Sequence, residues 1–580
     1  MATYPADKNR VLNNHYSSSA NFYESDLMLQ DFLRRKLSAE AYESVEGRLE
    51  QMGETAAREM DALSLKADRQ SPRLHKRDAW GEAVDHIEFH PAYHRLMEIA
   101  AESGMFTVKW SPAWRQRYPD ERHLLSFGIS SLYGLAETGV YCPLCMTDGA
   151  AVLIDRFCDE ADKARLLPAV YASSLEEMKT GAMYLTEKAG GSDVGATLAV
   201  AEHWEGKTYA LTGEKWFCSN ADGDIAFVLA RTHSDDTRPD KTSPDKTRSD
   251  TPRPDNRRTA GLSIFLVEKA LPDGKRNPMD IIRLKDKLGV RSMASAEIML
   301  QKTRGTLVGE EGQGFKIMTA MINLSRVYNS MAAHSASKRA LMEAYQFLRG
   351  RDTFGRNALD HPLVRKKLEE LGALNTACFY LVWRAVEALD SEDEKESSLL
   401  RLLTPMAKKW SAEIGVYLTR EAMELTGGIG YIEDHIMPRL MRDVMVLPIW
   451  EGAGNIMLLD MLRASGKSEG LAVMLEHIAR SVSDPVHGSW VKRESEALRA
   501  YSKELFAMES EAMQYNAPAF FNRLTRLFQM SVMIEARDGA NERWIDPALR
   551  VLHRQGEGET LAPEAVPSRE VIEDMIAWKA

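Results

Sequence analysis

The stretch Arg442-Asp443-Val444-Met445-Val446-Leu447-Pro448-Ile449-Trp450-Glu451-Gly452-Ala453-Gly454-Asn455-Ile456-Met457 decides how the chain is read. An apolar run ends in one carboxylate, and small residues follow at once. Pro448 and the glycines do not suit a helix interior, so Glu451 is expected at a turn. Gly452 and Gly454 remove side chains beside it and would let a flat ligand approach the backbone. Ile449 and Trp450 are expected to desolvate the carboxyl, raising its pKa and making it a better base near neutral pH. A single such glutamate is most often a solvated surface residue. The sequence on either side makes this one a candidate catalytic base.

After Asn455 the chain reads as helical, and before Arg442 the 3.6-residue period marks Lys316–Phe347, Pro362–Leu389 and Ser397–Leu425. Three long amphipathic helices and a shorter fourth, Asn455–Leu462, imply a bundle. Residues 308–465 are assigned to it. Upstream, 181–307 changes texture. Short alternating segments (Thr208–Leu211, Ile225–Ala230, Leu262–Val267, Ser295–Leu300) separated by turn residues predict an antiparallel β domain or barrel. Inside it, residues 232–259 hold a degenerate Pro-Asp-Lys/Arg-Thr repeat, too polar to bury surface, and are expected to be a disordered insert. Residues 1–180 read as mostly helical, with Ala41–Leu65 and Asp159–Met178 the clearest segments, and Trp80, Trp110 and Trp114 as helix contacts. Residues 466–580 read as an appended helical domain, with helices over Lys492–Met513 and Phe520–Arg537. The fold class is therefore α+β, mainly α.

The 580 residues carry a formal net charge of −11, which makes no general case for nucleic acid or anionic membrane as partners. No window is apolar for long enough to span a bilayer, and the start lacks the apolar core of a signal peptide, so a cytoplasmic protein is expected. Five cysteines in so long a chain argue for a reducing compartment. Cys142-Pro143-Leu144-Cys145 lacks the second pair of a zinc ribbon and reads as packing. His86, His90 and His94 share a helical spacing that Pro91 interrupts, and read as packing or capping residues; no metal site is expected.

No GxGxxG or GxxxxGK[ST] occurs, so a nucleotide must be held by other glycine turns. Thr186–Val194, Leu211–Asn220, Thr426–Tyr431 and Glu451–Asn455 offer hydroxyls, backbone N–H groups and close approach to a flavin edge and a diphosphate. With Arg351-Asp352-Thr353-Phe354-Gly355 and Trp450-Glu451-Gly452, these motifs resemble, in order, those of the acyl-CoA dehydrogenase family. The fuller likeness is to its AidB-like branch, through Phe89–His94, Arg283–Ser292, Trp450–Met457 and the extra C-terminal region. The resemblance implies a flavoprotein holding FAD. Met183, Leu185, Thr186, Gly191, Ser192, Phe217, Ser219, Gly428, Ala453 and Asn455 would contact the cofactor. Arg351 and Phe354 would reach the cofactor of a neighbouring subunit, which requires a homo-oligomer, at least a dimer; a dimer of dimers comes from the family alone. Ser192, Arg326 and Trp450 would contact an acyl-CoA substrate. Glu451 would take the α-proton as the β-hydrogen leaves as hydride to flavin N5, with the thioester carbonyl polarised by the Glu451 backbone and a ribityl hydroxyl. Electron-transfer flavoprotein or another acceptor would reoxidise the cofactor.

Two departures stand out against that resemblance. Family members acting on ordinary fatty-acyl substrates usually carry Tyr at Trp450 and a hydroxyl at Ala453. The branch's C-terminal domain is linked to duplex DNA, yet residues 466–580 hold 14 Lys/Arg against 18 Asp/Glu, a net of −4. Arg523, Arg526, Arg537, Arg543, Arg550 and Arg554 are left as the one candidate basic face. The alternative to an enzyme is a flavin-fold protein of little turnover that binds DNA or sequesters acyl ligands. A flavin oxidase or monooxygenase is disfavoured, because such relatives often lack the glutamate.

Overall fold

A computed structural model describes residues 21–232, 259–558 and 566–578. The insert expected at 232–259 lies, but for its two ends, outside the described residues.

The N-terminal region is a helical layer, as its periodicity predicts. One helix runs Ala39–Thr55 and continues through a π-turn at Ala56–Met60 into Asp61–Arg69. The layer also contains an antiparallel hairpin, Arg73–Arg77 with Ala83–Glu88, which the helical reading of 1–180 missed. Its residues are mostly exposed, so no apolar alternation announced it. Trp80 is exposed near this hairpin's turn rather than packed between helices. His90 caps the helix Pro91–Ser103 by accepting from the Ala92 N–H at 3.1 Å. The helix that meets the site is α1, Tyr141–Phe157, whose residues are almost all buried.

Among its described residues the middle domain contains seven strands: β1 Gly181–Tyr184, β2 Val200–Glu205, β3 Thr208–Ser219, β4 Ile225–Arg231, β5 Leu262–Glu268, β6 Met279–Leu284 and β7 Ser295–Val308. Their order is β1-β4-β2-β3-β7-β5, with β4 also paired to β5, so the strands close into a barrel; β6 adds to β7. Closure removes the free edges that an open sheet would expose. The antiparallel expectation holds except where β1, and one residue of β2, run parallel to β4. β1 arrives from the helical layer, and the β2–β3 hairpin intervenes before β4, so the two strands run the same way.

The bundle consists of α2 Gly314–Arg349, α3 Pro362–Leu389, α4 Glu394–Thr426, a short α5 Ile436–Val444 and α6 Gly454–Lys467. α4 packs on α2, α3 and α6, and α2 also packs on α1. The C-terminal helices do not follow the predicted bounds. The chain breaks at Met508, which takes an extended conformation between helices Gly488–Ala507 and Ser510–Ala536. The helices Ser510–Ala536 and Glu542–Glu557 cover α3: Gln529 donates to the Ala377 carbonyl at 3.3 Å, and Trp544 to the Tyr380 hydroxyl at 3.4 Å. The end of the chain returns to its beginning, with the Leu27 N–H donating to the Ala577 carbonyl and Trp578 packed on Phe22. No described helix is long and apolar enough to cross a membrane.

Candidate active site

Glu451 sits at a turn between α5 and α6, as Pro448 and the glycines predict, with φ at +56°. A non-glycine residue persists there only where its surroundings hold it. Ser325 on α2 donates its hydroxyl to Glu451 Oε2 at 2.5 Å, and Arg326 donates Nε to the Glu451 carbonyl at 3.2 Å. Part of the residue meets solvent, but protein surrounds the carboxyl. Burial raises its pKa, opposed by the Ser325 hydrogen bond and by Arg326 and Lys408. Among the described residues its backbone N–H has no protein acceptor.

Two expectations about this turn need correction. Ile449 is exposed and does not desolvate the carboxyl; α1, α2 and α4 do. The space beside Gly452 is filled by Met457, whose Cε would lie 2.6 Å from an added Cβ, so this glycine serves packing and its φ of +103°. Gly454 likewise faces Glu413.

A second element faces the barrel's rim. The Trp216 N–H donates to the Thr186 carbonyl at 2.9 Å, joining the turn after β1 to β3. Gly191 packs on Thr186 so closely that a Cβ would meet its methyl and hydroxyl at 3.1 Å. Below this shelf a buried ion pair, Lys215 to Glu187 at 2.7 Å, is completed by the Leu198 and Ala199 N–H groups on Glu187. On the outer face Phe217 is 57% exposed, Ser192 exposed, and Met183, Leu185, Thr186 and Ser219 half-buried. A flat aromatic wall, two hydroxyls and a glycine that a Cβ would crowd are suited to a planar, hydrogen-bonding ring system.

The shelf and the base meet through α1. Cys142 lies against Ser219, with Glu451 and Lys287 as its charged neighbours, and burial pushes its thiol up to about 12. The CxxC therefore lines the site as unreactive packing. The loop between β6 and β7 fixes this junction. Gly289 abuts the Arg442–Asp443 backbone, the Val290 N–H donates to Asp443 Oδ1 at 2.6 Å, and Ser292 donates to Glu137 at 2.8 Å. Lys287 is half-buried there, its enclosed ammonium donating to the Met293 carbonyl at 2.7 Å and lowered by desolvation to about 7. Ser325, Lys408 and Asp443 are site-building residues the sequence did not single out. The one available signal was a polar residue at a core position of an amphipathic helix.

Other site residues fall elsewhere. The Arg326 guanidinium binds Asp460 at 2.6 Å besides the Glu451 carbonyl, so it is spent on holding the turn. Trp450 is half-buried beside the base. Ala453 stands at the N-cap of α6 and, lacking a hydroxyl, caps nothing; Asn455 is exposed on its first turn. Arg351 and Phe354 form a separate exposed group with the glycine turn: an added Cβ on Gly427 would lie 3.8 Å from Arg351 Nη1, and Gly428 faces open space.

The fold and this site define a class, and comparisons with known proteins agree. Residues 312–466 match the model for the acyl-CoA dehydrogenase C-terminal domain, and 182–303 that for the middle domain. The chain belongs to the acyl-CoA dehydrogenase family. Its place within the family is the AidB-like branch, because residues 14–176 match the N-terminal domain of adaptive response protein AidB. The putative acyl-CoA dehydrogenase AidB of Escherichia coli is 32% identical over 84% of this chain and 86% of its own length. Caenorhabditis elegans ACDH-11, solved in complex with C11-CoA, superposes with a TM-score of 0.81 at 26% identity, covering 95% of this chain and 94% of that one. The apo-form of Bd2924 superposes at 0.79 and 30% identity, covering 89% and 98%.

Proposed function

We propose that this protein is an FAD-dependent dehydrogenase that oxidises an acyl-CoA to the 2-enoyl-CoA. The observation that carries the reading is the surrounded Glu451 carboxyl, whose pKa burial raises, facing the hydroxyl-bearing shelf across α1. FAD supplies the hydride acceptor. Glu451 takes the α-proton, and a base with a raised pKa drives that transfer further than a solvated carboxylate. The free Glu451 N–H is placed to polarise the thioester carbonyl as negative charge develops on its oxygen. Phe217 would wall the ring, Thr186 and Ser219 would hydrogen-bond its edge, and Cys142 and Trp450 would exclude water around the base. The C11-CoA held by the worm relative supports a thioester as ligand.

The exposed Arg351, Phe354 and Gly428 group suits contact with a second copy, whose bound FAD it would help to hold, so the active form is a homo-oligomer. Electron-transfer flavoprotein or another acceptor would reoxidise the flavin. The alternative of a DNA-binding protein finds little support in the basic residues: Arg523, Arg537 and Arg554 pair with Glu494, Asp484 and Glu369, Arg543 lies 3.7 Å from Asp574, and Arg526 binds a backbone carbonyl. Anaerobic mixing with acyl-CoAs of graded length tests the proposal. Flavin bleaching with at least one chain length is expected, and its loss in Glu451→Gln with flavin retained. No bleaching at any length overturns it.

A further inference from the structure

Lys408 on α4 is fully buried, yet no described carboxylate lies within ion-pair reach of it. Buried lysines are nearly always paired, because an unpaired ammonium away from water is costly. Here the ammonium donates to two backbone carbonyls, Pro448 at 3.1 Å and Gly452 at 2.6 Å. These two carbonyls bracket Glu451, and Glu451 is the largest charge acting on Lys408. From the opposite helix, Arg326 binds the carbonyl of Glu451 itself. Two side chains on two helices thus make three hydrogen bonds to the backbone of the five residues Pro448–Gly452, two of which have positive φ.

We propose that Lys408 is the positioning residue for Glu451: it clamps the turn that carries the carboxyl and, with Arg326, supplies the buried positive charge that keeps it ionised until the α-proton arrives. This rests on Glu451 being the base. Among the other groups around the carboxyl only Arg326 also brings positive charge to it, and Lys408 alone holds the carbonyls on both sides of Glu451. On α2, Ser325 is neutral, and Arg326 also draws the carboxyl toward its ionised form while pairing with Asp460 of α6, which it shares with Arg401 of α4. On α1, Cys142 and Cys145 are neutral thiols, raised by burial. On α4, Lys409 and Glu413 neutralise each other. Burial already lowers Lys408 to about 8. Protonation of Glu451 removes the charge that supports it, so the two groups answer each other across the catalytic cycle.

The test uses the FAD-loaded enzyme and an acyl-CoA whose β-carbon is replaced by sulfur. Its α-proton can leave but no β-hydride exists, so the equilibrium charge-transfer absorbance reports deprotonation by Glu451 alone. In Lys408→Met the apparent pKa of that absorbance is expected to rise by about one unit. Turnover at pH 6.5 should fall about tenfold, with KM changed far less. Superimposable pH profiles for variant and wild type, at equal flavin content, overturn the proposal. Should the variant not fold, the wild type decides it. Amide exchange in the 446–457 peptide, corrected for intrinsic rates, should accelerate as pH rises through about 8, and unchanged protection from pH 7 to 9.5 overturns the clamp. A Glu451→Gln enzyme that still turns over refutes the base itself; loss there with an unchanged Lys408→Met profile refutes only this inference.

Discussion

Replacing Gly289 by alanine tests the seam on which the site is built. Gly289 has no positive φ, so alanine suits its backbone and the effect is purely steric. The new methyl would lie 2.2 Å from the Arg442 carbonyl oxygen, 2.4 Å from its carbon and 2.8 Å from the Asp443 nitrogen. These are backbone atoms of α5 and cannot swing aside, so the β6–β7 loop must retreat by about 1 Å to restore ordinary contact. Retreat stretches the 2.6 Å bond from the Val290 N–H to Asp443 Oδ1 beyond bonding distance. Overpacking of this kind costs about 1–3 kcal/mol. Losing a hydrogen bond to a buried carboxylate adds about 1.5–3 kcal/mol. A total of about 3–6 kcal/mol is expected, with the loss concentrated at the junction of barrel, α1 and α5. The assay is a thermal melt with flavin content measured on the same preparation: the melting temperature should fall by several degrees and flavin should dissociate more readily. A Gly289→Ala protein with wild-type melting and full flavin would refute the packing of this loop on α5.

Ser325→Ala removes the hydroxyl that holds Glu451 Oε2 and favours its ionised form, so the base should titrate higher, read as an acid limb of the flavin-reduction rate moved toward alkaline pH. Asp443 gives a stability signature. Burial raises its carboxyl from 3.8 to about 7, so the folded state holds a proton there that the unfolded state has lost. Its destabilising effect is full above pH 7 and is relieved as pH falls from 7 toward 4, so the melting advantage of Asp443→Asn should be largest at pH 8 and shrink on acidification. Lys215→Met leaves Glu187 as a buried, unpaired carboxylate beneath the shelf. A loss of about 3–5 kcal/mol and weakened flavin retention are expected, and wild-type urea midpoints would count against the shelf's construction. Arg351→Gln, on the exposed group, should lower flavin retention without lowering the melting temperature of the apoprotein.

The periodicities of this chain were enough to place its large elements. Pro362–Leu389 emerges with the bounds that its proline start and apolar spacing announce, and the short apolar runs Ile225–Ala230 and Leu262–Val267 become two barrel strands, buried on both faces rather than alternating. Periodicity reports burial on one side, so it was silent at the mostly exposed hairpin of residues 73–88, and at Met508 the half-buried methionine keeps the apolar spacing while the backbone turns extended. Glu451 and its turn were legible because proline, glycine and a lone carboxylate are local signals. What encloses that carboxyl was not, since Ser325, Lys408 and Cys142 lie 126, 43 and 309 positions away in the sequence. Ile449, the neighbour in sequence that seemed placed to desolvate the base, points outward instead.

The order of elements, the turn and the identity of the acid thus belong to the sequence, because propensity and pattern act between residues a few positions apart. The acid's environment belongs to the tertiary structure, because a raised carboxyl pKa and a balancing buried ammonium arise only when α1, α2 and α4 converge and exclude water from one point.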